Sequence, residues 1–147
     1  MTRLAASVLA LTASAATAAP IQYFPAPAVQ GRPAPFSSAV RAGDTVYLSG
    51  QIGIGADGKL PAGIEAQTRV AMNNVGAVLK RAGLGWGDVV HCTAMLSDMG
   101  NWPAFNSVYV TYFPAGKLPA RSAIWSHKDY NLCGYSVRSR ARRSGRS

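Results

Sequence analysis

The carboxylates available for acid–base work number six: Asp44, Asp57, Glu65, Asp88, Asp98 and Asp129. They do not form the pair of acids that general acid–base hydrolysis relies on. His91 and His127 stand far apart and no CxxC is present, so no metal-ligand spacing emerges and no metal site is expected. His127 beside Lys128 and Asp129 is an acid–base candidate, but the stretch reads better as an exposed loop. GxSxG, the phosphate-binding Walker loop and HExxH are all missing, and "GIGADG" opens no helix at the spacing a nucleotide loop needs. What remains suits a small organic acid. Arg121, in "LPARSAIWS", can grip a carboxylate with two parallel hydrogen bonds. "SGQ" at 49–51 offers the Ser49 hydroxyl and a bare backbone at Gly50, and Asn106 offers an amide. On spacing alone, Arg121 reads more readily as half of a surface or interface ion pair.

The formal charge of +9 is concentrated at the ends. Five arginines (138, 140, 142, 143 and 146) fall in the last ten residues and Arg3 in the first segment; without these six the charge drops from +9 to +3. A basic face built into the fold for nucleic acid is therefore not expected, and residues 138–147 read as a solvated, disordered Arg-rich tail. Residues 1–18 combine Arg3, an apolar run from Leu4 and the small-x-small Ala16-Thr17-Ala18. This predicts a cleaved secretory signal and an exported, periplasmic or secreted protein with no membrane span after cleavage. Cys92 lies in an apolar run and reads as a small buried residue rather than as half of a Cys92–Cys133 bridge.

The elements that must carry these groups follow from pattern. Residues 19–35 are proline-rich and predict an extended arm rather than a helix or central strand. Two β-rich runs, 37–41 and 45–49, flank a turn at Gly43 and Asp44, and "GADGK" marks a second turn. Ile64, Ala71, Met72, Val75, Val78, Leu79 and Ala82 make one stripe at helical spacing. Glu65 stands in its first turn, Lys80 and Arg81 in its last, and Gly83 at its left-handed cap. Gly76 inside that helix predicts a close approach to a sheet. Residues 88–96 predict a strand, Pro103 opens a second helix, and "ARSAIWS" and "GYSVRSR" predict further strands. Trp102, Phe105, Val108, Tyr109 and Tyr112 share a face of that second helix and read as core or subunit contacts. The order β-β-α-β-α-β predicts an α+β sandwich, one sheet with two helices on one face, whose open face needs an oligomer to cover it.

Four segments in order, "PFSSAVRAGDTVYLSGQIGI", "GIEAQTRVAMNNVGAVLKRAGLGWGDVVHCTAMLSDM", "FNSVYVTYF" and "PARS", resemble the Rid family (RidA/YjgF) of enamine/imine deaminases. The resemblance spans about Pro35 to Ser122, within a domain read as 36–137. It implies a chorismate-mutase-like fold with one mixed sheet, and a barrel-forming homotrimer with ligand clefts between subunits. It also implies cofactor-free hydrolysis of 2-imino and 2-enamino acids such as 2-iminobutanoate and 2-iminopropanoate to 2-oxo acids and ammonia. Position by position, Arg121 matches the arginine that holds the substrate carboxylate, Asn106 a cleft asparagine, and Ser49 and Gly50 the cleft wall. Phe36 stands where the family often has tyrosine, and Ala123 where many members have cysteine.

The departure comes at the C-terminus. Family spacing from Arg121 places "YSVRS" on the last strand and Ser136 at the position of a proposed catalytic glutamate. No glutamate follows Glu65. Either this is a diverged last strand, or the reading frame breaks near Ala123–Trp125; the crowding of Arg, Ser and Gly from 138 onward favours the break. Impaired deamination is the expectation, with a non-catalytic trimer that binds small carboxylates as the alternative.

Overall fold

The structure is a computed structural model that describes residues 19–28 and 31–126 in full and 132–138 as backbone. Residues 1–18, read in the sequence as a secretory signal, His127–Asp129 and residues 139–147 lie outside the described residues. Strands β2 (Ser37–Ala42) and β3 (Thr45–Ile52) form the expected hairpin, with Ala42 opposite Thr45. Gly43 takes the turn at φ 57°, a conformation that costs a side-chain-bearing residue energy. Helix α1 (Ile64–Arg81) buries Thr68, Ala71, Met72, Val75, Val78 and Leu79, the 3.6-residue stripe of the sequence. It ends in a Schellman motif: Gly83 N–H donates to Lys80 C=O and Leu84 N–H to Leu79 C=O, with Gly83 at φ 71°.

Strand β4 (Val89–Leu96) leads through helix α2 (Trp102–Tyr109) to β5 (Ala120–Trp125), which returns parallel to β4. Pro103 sits in the first turn of α2, where its missing N–H costs nothing. Strand β6 (Leu132–Arg138) then inserts antiparallel between β3 and β4. The strand β1 (Gln22–Pro25), on the proline-rich arm, pairs antiparallel with β2 and completes a mixed six-stranded sheet of order β1-β2-β3-β6-β4-β5. An edge strand tolerates proline because one of its sides needs no N–H donors, and Phe24 ties this one to the core.

The core lies between one sheet face and the helices. Val46 and Leu48 from β3, Cys92, Ala94 and Leu96 from β4, and Met72, Val75 and Leu79 from α1 are buried there with Phe105 and Tyr109 of α2. On the other face Tyr47 and Ile124 are exposed, at 53% and 48%. The α+β architecture with two helices on one face is as the sequence predicts. The role expected of Gly76 is not. A Cβ there would stand 3.5 Å from the Trp86 indole, in ordinary contact, whereas a Cβ on Gly53 would stand 2.6 Å from the Gln67 carbonyl oxygen in α1. The close helix–sheet approach is at Gly53, at the end of β3. Register sets Cys133 opposite Ala94 and Cys92 opposite Tyr135. Cys92 is buried as expected, and the side chain of Cys133 lies outside the described residues.

Candidate functional site

Arg121 stands on β5 opposite Cys92, a residue buried under the helices, so its side chain turns towards α2. There its Nη1 donates to Asn106 Oδ1 at 2.7 Å. Its guanidinium carbon lies over the Trp102 ring at 4.3 Å and the Tyr109 ring at 4.7 Å, with Phe105 at 5.9 Å. Residues 102, 105, 106 and 109 recur at three- and four-residue intervals and so share one face of α2. The rings of Trp102 and Phe105 stack at 5.5 Å and those of Phe105 and Tyr109 at 5.4 Å. Together they make an aromatic platform with the amide beside it.

The electrostatics of this arrangement matter. Ring faces attract a cation through their quadrupole and the amide oxygen through its dipole, yet none of them carries a neutralising charge. Among the described residues no carboxylate pairs with Arg121, and its one hydrogen bond there is to Asn106. Asp129, the acid that follows Arg121 in the sequence, lies outside the described residues. Trp102, Phe105 and Tyr109 read in the sequence as core or subunit contacts; what that reading missed is that this face carries the arginine. The available signal was Asn106 falling within the same helical stripe.

Phe36 and Gly50 meet elsewhere. They line a cleft of about 490 Å³ together with Ser38, Ile52, Ile54 and Asn74, and the arm residues Ala26–Ala28 form its other wall. Ser49 is next to it and is engaged: its hydroxyl donates to Ser37 C=O at 2.6 Å. Asn74 Nδ2 donates to Ile52 and Ile54 C=O, both at 3.1 Å, and so fixes the strand end that carries Gly50 to helix α1. Phe36 is 53% exposed. Two strands, β6 and β4, separate β3 from β5 in the sheet, and Arg121 shares its row with Leu48, two residues before Gly50, so Gly50 and Arg121 are more than roughly 14 Å apart at the usual strand spacing. One chain thus brings together two halves, Arg121 with Asn106 and Phe36 with Gly50, and does not join them. Ser136 occupies a third place, in β6 on the row between Tyr47 and His91.

Among the described residues no three His, Cys, Asp or Glu side chains cluster as metal ligands, and no helix is long and apolar enough to cross a membrane.

Residues 29–127 match the family model described as Endoribonuclease L-PSP; β6 lies beyond that span. The chain is 42% identical over 100 residues to the 2-iminobutanoate/2-iminopropanoate deaminase of Mus musculus, covering 67% of this chain and 71% of that protein. It is 36% identical over 107 residues to the RutC family protein slr0709 of Synechocystis, covering 71% and 80%. Of solved structures, the E. coli YjgF gene product matches with a TM-score of 0.69 at 31% identity, over 78% of this chain and 94% of that one. E. coli TdcF with bound serine matches with a TM-score of 0.68 at 28% identity, over 73% and 90%. By sequence and by fold, this chain belongs to the RidA/YjgF family.

Proposed function

We propose that this protein hydrolyses 2-imino acids to 2-oxo acids, with Arg121 as the carboxylate anchor. The observation that carries this is the guanidinium held over the α2 rings and bonded to Asn106, with no acid to satisfy it among the described residues. A 2-iminium carboxylate would meet Arg121 through its carboxylate, leaving the imine carbon open to water. Addition of water gives a tetrahedral amino alcohol; loss of ammonium gives the 2-oxo acid, so that iminium and water become ketone and NH₄⁺ with nothing left over. Little beyond orientation is required, because the iminium carbon is already electrophilic. The names of the relatives, 2-iminobutanoate/2-iminopropanoate deaminase, and the serine in TdcF support a small amino-acid-derived ligand.

The two half-sites suggest how the cleft is completed. A second copy, packed against the exposed sheet face with Tyr47 and Ile124, would bring its Phe36 and Gly50 towards Arg121 of the first, as in the homotrimer that the family resemblance implies. Ser136 at the glutamate position supports impaired turnover, since a neutral hydroxyl cannot take a proton from water; such groups contribute about 10²- to 10⁴-fold. The N-terminal segment supports export.

The test is the rate at which purified protein removes 2-iminobutanoate or 2-iminopropanoate. Wild type is expected to exceed the uncatalysed rate, Arg121→Ala to abolish the excess, and Ser136→Glu to raise kcat. If wild type and Arg121→Ala both match the uncatalysed rate, the enzyme reading fails. Thermal stabilisation by 2-oxobutanoate without turnover would then support the second reading, a carboxylate-binding trimer, which Ser136 and Phe36 favour. Sedimentation reports the oligomer. The gene sequence past codon 122 shows whether a family-like strand lies in an adjacent frame.

A further inference from the structure

We infer that Trp102 is a positioning residue for Arg121: its indole face holds the guanidinium in place for a ligand carboxylate. This rests on the carboxylate-anchor reading above and names the residue that makes the anchor rigid. Arg121 sits on β5, at the edge of the sheet, where its long side chain would otherwise sample many rotamers in water. Three contacts limit it. Asn106 fixes one nitrogen through a 2.7 Å hydrogen bond. Tyr109, buried at 2% exposure and packed on Phe105, gives a wall that barely moves. Trp102 makes the shortest ring contact, 4.3 Å, and is itself held by its 5.5 Å stack on Phe105.

The choice of an aromatic here has a chemical logic. A carboxylate partner would hold the arginine more tightly, but the ligand would then have to displace it. A ring face holds the cation without using up its in-plane N–H donors, which stay available for the two parallel bonds a carboxylate makes. The stack exists before and after binding, so its own energy largely cancels. What remains is the entropy of ordering the side chain, already lost before the ligand arrives. Releasing that constraint weakens binding about two- to tenfold, the equivalent of one immobilised side chain.

The test uses the full-length protein, the probe 2-oxobutanoate, and the variants Trp102→Leu and Trp102→Phe. The Arg121 Nε–Hε signal, assigned by its absence in Arg121→Lys, is read first by NMR. In wild type it is expected to be shifted by the ring current and motionally restricted. Trp102→Phe keeps the shift. Trp102→Leu, which leaves only the Tyr109 and Phe105 rings near the guanidinium, reduces the shift and raises the Kd for 2-oxobutanoate about two- to tenfold. A merely structural tryptophan would lower Tm while leaving the Arg121 signal and the Kd alone, and that result overturns the inference while sparing the anchor. An averaged, unshifted wild-type signal also overturns it, even if Trp102→Leu does not fold. A restricted signal in a protein that binds no 2-oxo acid overturns the anchor reading, and the role of Trp102 with it.

Discussion

Substituting Gly53 by alanine tests how the helix layer is seated on the sheet. Gly53 follows β3 directly, and a Cβ there would lie 2.6 Å from the backbone oxygen of Gln67 and 3.0 Å from its carbonyl carbon and Cα. Those separations are well inside the roughly 3.5 Å at which non-bonded atoms attract. The obstacle is helix backbone, so no rotamer change relieves it. Either α1 backs away or the end of β3 bends. Overpacking of this kind costs about 1–3 kcal/mol, which for a domain of roughly 100 residues lowers Tm by about 5–20 °C. The movement would be felt at the cleft, because Asn74 of α1 holds Ile52 and Ile54 on either side of Gly53. Gly76→Ala is the control. Its Cβ meets the Trp86 ring at 3.5 Å, an ordinary contact, and removing a mid-helix glycine stabilises by up to about 1 kcal/mol. Both variants should be melted at one protomer concentration, since assembly would add its own term. If Gly53→Ala melts no lower than wild type, or if Gly76→Ala proves the worse of the two, this account of the helix seating is wrong.

Two further predictions concern charge and pH. Arg41 Nη2 donates to Ala82 C=O at 2.7 Å, at the C-terminal end of α1, where a cation meets both an orphan carbonyl and the negative pole of the helix. Arg41→Met keeps the stem and should lose about 1–2 kcal/mol in denaturant unfolding; an unchanged midpoint would contradict it. Burial pushes the Tyr112 hydroxyl above its ordinary value of 10.0, opposed by the Arg69 charge, and that hydroxyl donates to Asn73 Oδ1 at 2.9 Å. A raised folded-state pKa favours the neutral phenol, so its stabilisation is complete below about pH 10 and is lost as pH climbs through the folded value. Tyr112→Phe should therefore lose less stability than wild type above pH 10; parallel curves would count against it.

What could be read in the chain was whatever depends on neighbours within a few residues. The stripe from Ile64 to Ala82 needs only helical periodicity, the cap at Gly83 only a missing Cβ, the hairpin only Gly43 between two β-rich runs. The run "SGQI…QTR…PARS" was specific enough to indicate the family, and the sequence and structural matches agree. Arg121 and Asn106, chosen from different elements, do meet at 2.7 Å.

Tertiary structure decided the rest. That β6 enters the middle of the sheet, between β3 and β4, depends on pairings across eighty or more residues for β3, which no local pattern encodes. That insertion widens the separation of Gly50 from Arg121 in one chain. The arm becomes a strand only because β2 offers it an open edge. Gly53, not Gly76, marks the close approach, because which glycine faces backbone is settled by how α1 lies on the sheet. The aromatic stripe of α2 was visible as a stripe, but a sequence does not say what lies over it. Only the parallel return of β5 beside β4 places a guanidinium over those rings.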